Sequence, residues 1–407
     1  MKPRDLLTLP LRYKPWKRRH AALIFRDLLR SGAEPEKDHA RHLAVAIDWL
    51  CLAQDQRSGT VDDGGVAAGW SFEDGWLPCY PETTGYIIET FLAAAKVLAR
   101  PELVERARRM IDWELSLQQP DGAFPGHFGE RGSHPVIFNT GQIMHGMVAG
   151  YVQLGRNECL EAAVKAGHWL ADNQDEDGCW RGYEHNDVPH TYNTRATWAL
   201  AATALLSGDG RLRLAAVRNL DWALTQQTES GWFATNSFTP SQLPFTHTIA
   251  YAIRGLLESG VLIRDDRYVE SALKAGRGIA SAQRRDGWLA GTYADGWRAG
   301  ARYCCLTGVA QMAINWLRLS QVCGVQALQV SARSGIAFLK SQQHLTDADP
   351  VIRGAIAGSL PIWGAYSRFE FPNWAAKFFA DALMIDMTGA PVPPIPWVAE
   401  RARVRNE

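Results

Sequence analysis

The 407-residue chain has no excess charge of either sign, with 43 Lys and Arg set against 43 Asp and Glu. That balance excludes a broadly basic nucleic-acid surface and a disordered acidic tail. No uninterrupted apolar run reaches the roughly 18 residues of a membrane span, so no transmembrane segment is expected. The seven cysteines (Cys51, Cys79, Cys159, Cys179, Cys304, Cys305, Cys323) contain no CxxC pair and are odd in number. Reduced thiols and a cytoplasmic setting follow. Residues 1–19 are basic but broken by Pro3, Pro10 and Pro15 and lead into no apolar segment, so no secretory signal is expected. They read as an arm packed on the domain, with a weak contact to a membrane surface as the alternative. What the chain does have in quantity is Trp (16) and Gly (36).

Both belong to a repeat. A glutamine followed four residues later by glycine occurs at Gln118/Gly122, Gln174/Gly178, Gln227/Gly231 and Gln283/Gly287, with Phe124, Trp180, Trp232 and Trp288 just beyond. A looser copy runs from Gln54 to Gly59, and a degenerate one from Gln343 puts Asp347 in the glycine place. Five residues before these glutamines stand Trp49, Trp113, Trp169, Trp222, Gly278 and Phe338. Between turns lie two helical stretches. One is rich in small residues (84–98, 140–154, 191–206, 246–257, 304–319, 373–384). The other is amphipathic (39–53, 102–113, 158–173, 211–225, 268–282, 326–341). A helix apolar on most faces must be buried, and one with a single apolar stripe lies outside it. Six of each, joined by short turns, predict an all-α (α/α)6 toroid over 38–390, with an arm at 1–37 and a tail at 391–407.

The inner helices would bring their N-termini together at one end, where unpaired N–H groups favour polar and anionic ligands. Segments entering these helices are rich in His, Tyr, Arg and carboxylates, beyond what helix capping requires. The catalytic candidates are His190 and His247 for proton transfer near neutral pH, Glu82 and Glu370 as carboxyls, and Tyr192 and Tyr303 as phenolic bases. Glu370 lies between Phe369 and Phe371, where desolvation would raise its pKa. Substrate-binding candidates are Tyr80, Tyr86, Asn139, Gln142, His145, Asn193, Arg195, Tyr251, Trp297, Arg302 and Trp374, with Arg195 and Arg302 as clamps for a carboxylate or phosphate. No metal site and no cofactor are expected.

In these Gln-x-x-x-Gly-x-Trp turns the chain resembles the terpenoid cyclase and protein prenyltransferase α/α-toroid superfamily, over residues 38–386. It departs from that family's chemistry. The Asp-x-Asp-Asp acid of class II cyclases is incomplete at Val61-Asp62-Asp63, Arg264-Asp265-Asp266 and Asp347-Ala348-Asp349-Pro350. The prenyltransferase zinc pair would fall at Asp177-Gly178-Cys179, in a turn after an outer helix. The rim resembles that of carbohydrate-active toroids, and is similar to toroid proteins of bacterial exopolysaccharide biosynthesis clusters. That resemblance implies a glycan or glycan-precursor substrate. The expected activity is proton abstraction on an acidic, uronic glycan, of epimerase or lyase type. The alternatives are a glycoside hydrolase using Glu82 and Glu370, an isoprenoid cyclase or prenyltransferase-like enzyme, and a non-catalytic glycan-binding scaffold.

Overall fold

The turn glutamines organise the chain in a computed structural model that describes residues 10–29, 38–127 and 133–390. The tail at 391–407 and arm residues 1–9 and 30–37 lie outside the described residues. After an N-terminal helix α1 (Arg18–Leu29) come six helical hairpins. Their amphipathic members are α2 (His39–Asp55), α4 (Glu102–Leu117), α6 (Asn157–Asp172), α8 (Gly210–Thr225), α10 (Asp266–Ser281) and α12 (Gln326–Gln342). Their small-residue members are α3 (Pro81–Val97), α5 (Ile137–Leu154), α7 (Thr194–Ser207), α9 (Thr246–Ile263), α11 (Leu306–Cys323) and α13 (Asn373–Thr388). Every residue of α3 from 81 to 95 is buried, whereas α4 buries one stripe that includes Leu103, Ala107, Met110 and Ile111. The inner helices pack in the order α3, α5, α7, α9, α11, α13, and α13 returns to α3, which closes the (α/α)6 toroid.

Each turn glutamine is a two-way clamp. Gln174 Nε2 donates to the Gly178 carbonyl (3.1 Å) and to Ala215 on the next outer helix (2.9 Å). Gln118, Gln227 and Gln283 repeat the pattern. The first and last copies correct the sequence reading. Gln54 clamps Gly64, not Gly59, together with Arg106, and Gln343 clamps Gly354 rather than the Asp347 position. Both turns are longer, so the short spacing of the central copies finds the wrong partner. Gly64 and Gly354 have φ of +108° and +92°, and a Cβ there would strike the carbonyls of Arg109 and Val45 on the adjacent outer helix. Only glycine meets both demands. The other bond of Gln343 goes to the His42 carbonyl, so the last turn locks onto the first outer helix.

The outer-helix tryptophans are buried wedges, and Gly278 is the informative exception. The indole of Trp297 occupies the space above Gly278 and donates to the Ser230 carbonyl at 2.8 Å. A tryptophan from a loop thus replaces the one missing from the helix.

A short antiparallel sheet ties the two ends of the ring together. β1 (Gly69–Ser71) pairs with β2 (Gly75–Trp76) on one side and β3 (Glu370–Pro372) on the other. Residues 10–29 pack on this sheet. His20 stacks on Phe72 at 4.1 Å and Tyr13 meets Phe369 at 4.4 Å. Arg19 pairs with Asp349, and Arg12 with Glu73 at 2.5 Å. The described part of the arm is therefore docked, through an aromatic contact ringed by ion pairs.

Candidate functional site

Where the inner helices begin, they enclose a cup of about 460 Å³. Pro81 fixes the first turn of α3, where a missing N–H costs nothing. Tyr80 and Glu82 at that turn, and Tyr86 in the next, stand in the wall. The starts of α7 and α9 contribute Tyr192, His247 and Tyr251, and the start of α13 contributes Trp374. These seven sequence candidates share one cavity. Phe138, Phe238, Phe245 and Tyr366 complete a lining in which nine of seventeen residues are aromatic.

Glu82 is the charged oddity in this wall. Burial lifts its carboxyl from an ordinary 4.5 to about 7, partly opposed by a hydrogen bond from the Tyr80 phenol. Tyr80 is itself held: Asn139 Nδ2 donates to its oxygen at 3.1 Å, and Asn139 Oδ1 lies 3.0 Å from His185 Nε2. Because an amide oxygen only accepts, His185 carries its proton on Nε2. The directed chain His185, Asn139, Tyr80, Glu82 therefore ends with a proton aimed at the carboxyl. Three non-glycine residues near His185, namely Tyr183, Asn186 and Asp187, have φ of +54° to +58°. A left-handed backbone at such positions costs on the order of 1 kcal/mol each, so the loop holds His185 at a conformational expense.

Across the cup, His247 Nδ1 lies 2.8 Å from Gln311 Oε1, which puts the proton on Nδ1 and leaves Nε2 as an acceptor. Burial pushes its pKa down to about 3, so the ring is neutral at pH 7. His190 stands behind the wall, stacked on Tyr192 at 4.4 Å and bonded to the His185 carbonyl. Burial lowers it to about 4. It orients Tyr192 and does not line the cup. Asn193 likewise serves the wall, bonding Glu184 at 2.5 Å.

Below the cup the lumen is lined by buried charged groups. His145 Nε2 bonds the Arg195 carbonyl at 3.0 Å, and its Nδ1 lies 3.6 Å from Glu89. Arg195 reaches Gln142 at 3.3 Å and lies over the Trp198 ring. Further along, Glu258 is held by Arg254 (2.8 Å) and Arg318 (2.9 Å), and Lys377 pairs with Asp381 at 2.5 Å. Burial opposes the charge on Glu258, yet the two arginines hold its pKa below the ordinary value. Glu89, by contrast, is raised by burial to about 7 despite Lys377 and Arg195.

Four candidates fall elsewhere. Glu370 sits in β3 opposite Ser71 and faces Arg12, Asp74 and Glu73 outside the cup, although burial raises it to about 7 as expected. Tyr303 packs over Gly291 and Gly364, and Arg302 is exposed in a separate groove with Leu28 and Trp363. Trp297 is the wedge described above. Each residue precedes an inner helix in sequence, but Glu370 lies in a paired strand and Arg302 and Tyr303 come just before one, at Cys304–Cys305, while Trp297 lies in a loop further back. The sequence reading missed His127 and His185, both in the cup lining, because loop residues carry no periodicity. It also missed the lumen charges Arg254/Glu258 and Lys377/Asp381. Their i,i+4 spacing inside otherwise apolar helices was a readable signal. No group of three or more His, Cys, Asp or Glu residues able to hold a metal occurs among the described residues.

Comparison with known proteins agrees with the architecture. Residues 77–259 match the family model of the squalene-hopene cyclase C-terminal domain. Among solved structures, the unsaturated glucuronyl hydrolase of Bacillus sp. GL1, described as responsible for the degradation of glycosaminoglycan, is similar with a TM-score of 0.67 at 12% identity. The match covers 86% of this chain and 97% of that one. A substituted Streptococcus agalactiae enzyme of the same name, complexed with dGlcA-GalNAc6S, gives 0.68 at 12% identity, covering 90% and 96%. An unsaturated glucuronyl hydrolase specific for heparin gives 0.68 at 14%, covering 87% and 98%. No curated protein matches the sequence significantly. The chain is an α/α toroid, as its turns imply.

Proposed function

We propose that the protein is a carbohydrate-active enzyme that moves a proton at a ring carbon of an acidic glycan, with the cup as its reaction site and Glu82 as the transferring group. The observation that carries this reading is Glu82 itself, a buried carboxyl in an aromatic cavity, poised at about 7 with a single oriented donor. A group with a pKa near the working pH is effective as base and as acid in turn. Ionised Glu82 takes the proton from the carbon beside a uronate carboxylate. The electron pair left behind forms the carbon–carbon double bond as the neighbouring carbon–oxygen bond breaks, and Glu82 returns the proton to the departing oxygen. Neutral His247 offers no proton for the opposite face, so this one-group elimination fits the cup better than epimerisation. The aromatic faces suit sugar rings, and although burial raises the Tyr251 phenol well above its ordinary value, the Arg195 guanidinium beneath opposes that rise, so its positive field reaches the cup. The named substrates of the glucuronyl hydrolase neighbours support an acidic glycan.

A hydrolase built on Glu82 and Glu370 finds no support in this geometry, because the second carboxyl is not in the cup. Isoprenoid chemistry is favoured by one pair of observations, the nine aromatic rings and the cyclase-domain match. The two readings separate in one experiment. Incubate wild type and Glu82→Gln with oligouronides in deuterated water, and in parallel with allylic diphosphates. A new unsaturated chromophore from wild type alone supports elimination, and deuterium at C5 without cleavage points to epimerisation. Turnover of the diphosphates with inert uronides overturns the glycan reading. Binding without turnover of either leaves a glycan-binding scaffold.

A further inference from the structure

Docking of the N-terminal helix solves one problem and leaves another. Its inner face is used: His20 and Leu23 are buried, and Asp27 accepts from the Ile362 amide at 2.6 Å. The opposite stripe, Arg18, Ala22, Phe25 and Leu29 at helical spacing, faces outward. A helix on a soluble protein ordinarily turns a polar face to solvent. Here Phe25 is 61% exposed and Leu29 73%, with Leu28 beside them and Leu11 and Trp16 just upstream equally uncovered. These five residues lie within twenty, whereas the other exposed large hydrophobics are scattered through the remaining described chain. The basic residues divide as well. Arg12 and Arg19 are used in docking, while Lys17, Arg18 and Arg302 make no ion pair among the described residues.

We propose that α1 and the residues leading into it form an interfacial anchor that seats this end of the toroid on an anionic membrane. Exposed Trp, Phe and Leu supply the part that enters the headgroup boundary, and the unpaired cations supply attraction to acidic lipid. No helix among the described residues is long and apolar enough to cross a membrane, and the twelve-residue α1 lies along a surface. The anchor is coupled to the cup. Asp27 holds the amide of Ile362, and the same loop carries Tyr366 into the cup wall. The surface that would meet lipid and the cavity that would meet substrate thus belong to one end of the ring.

The test is vesicle flotation of the full chain. Binding is expected to equimolar phosphatidylcholine and phosphatidylglycerol, not to phosphatidylcholine alone, and raising the salt should release it. Phe25→Ser with Leu29→Ser should abolish flotation while leaving the thermal midpoint unchanged, because both side chains are already exposed. Lys17→Gln with Arg18→Gln should weaken binding about 25-fold, as about 1 kcal/mol per basic residue near an anionic surface implies. Failure to float with anionic vesicles overturns the proposal. So does flotation indifferent to the serine pair, or a concentration-dependent dimer that the serine pair dissolves.

Discussion

Replacing Glu82 by Gln tests the site through stability before any substrate is known. The side chain keeps its shape and loses its titration. In the fold Glu82 is raised from 4.5 to about 7, so the native state holds the proton over a range in which the unfolded chain has released it. Stability therefore declines as pH rises through that window. One pKa unit corresponds to about 1.4 kcal/mol, so the full penalty of ionising Glu82 is about 3 kcal/mol above pH 7. Between pH 5 and pH 8 it grows by about 2.5 kcal/mol. Glutamine has no such dependence, and the raised carboxyls elsewhere cancel because both proteins carry them. Urea denaturation of the two proteins across this range should show Glu82→Gln gaining about 2.5 kcal/mol on wild type toward the alkaline end. Parallel curves would refute a buried, raised Glu82 and with it the proposed role.

Other consequences are as direct. If ionised Glu82 is the base, kcat/KM should rise with pH through about 7, and Tyr80→Phe should move that midpoint upward, because the phenol's hydrogen bond holds the carboxyl down. Glu258→Ala strands Arg254 and Arg318 in the lumen and should cost about 3–5 kcal/mol in denaturant titration, the usual loss when one partner of a buried pair is removed. Gly178→Ala should destabilise far more than Gly208→Ala. Both have positive φ, which costs about 1–2 kcal/mol for a residue with a Cβ, but only at Gly178 does that Cβ strike a carbonyl, that of Arg218. Equal losses at the two glycines would refute the clamp geometry of the turns.

The ring was legible because its determinants are local and repeated. Gln174 and Gly178 each meet the outer helix one repeat on, at Ala215 and Arg218, so the same residues must recur at the same spacing. Where the spacing stretches, as at Gly64 and Gly354, counting along the chain fails although the contact survives. The cup was half legible. Tyr80, Glu82, Tyr192, His247 and Tyr251 sit at or within two turns of inner-helix starts, where helix geometry carries a side chain inward. Arg302 and Tyr303 were misplaced because residues before α11 first run through a loop that pairs Cys304 with Leu360, and that detour leaves no trace in composition. His185 was invisible for a related reason: a strained loop aims it, and strain is a property of φ, not of residue type.

Burial alone would not have found the site. Glu82, Glu89 and Glu370 are all raised to about 7, each chiefly by desolvation. They differ in what surrounds them. Glu89 is buried among Lys377, Arg195 and His145, and it does not line the cup. Glu370 faces Arg12 and two other carboxyls at the docked arm, where a change of charge would alter packing and not a ligand. Glu82, of the three, lines the cup, a cavity large enough for a sugar ring. Its one donor is held in turn by Asn139 and His185, which matters because an unheld phenol could rotate away and leave the carboxyl without direction. A perturbed carboxyl becomes a catalytic candidate only when cavity, donor and orientation coincide, and in this ring they coincide at the first turn of α3.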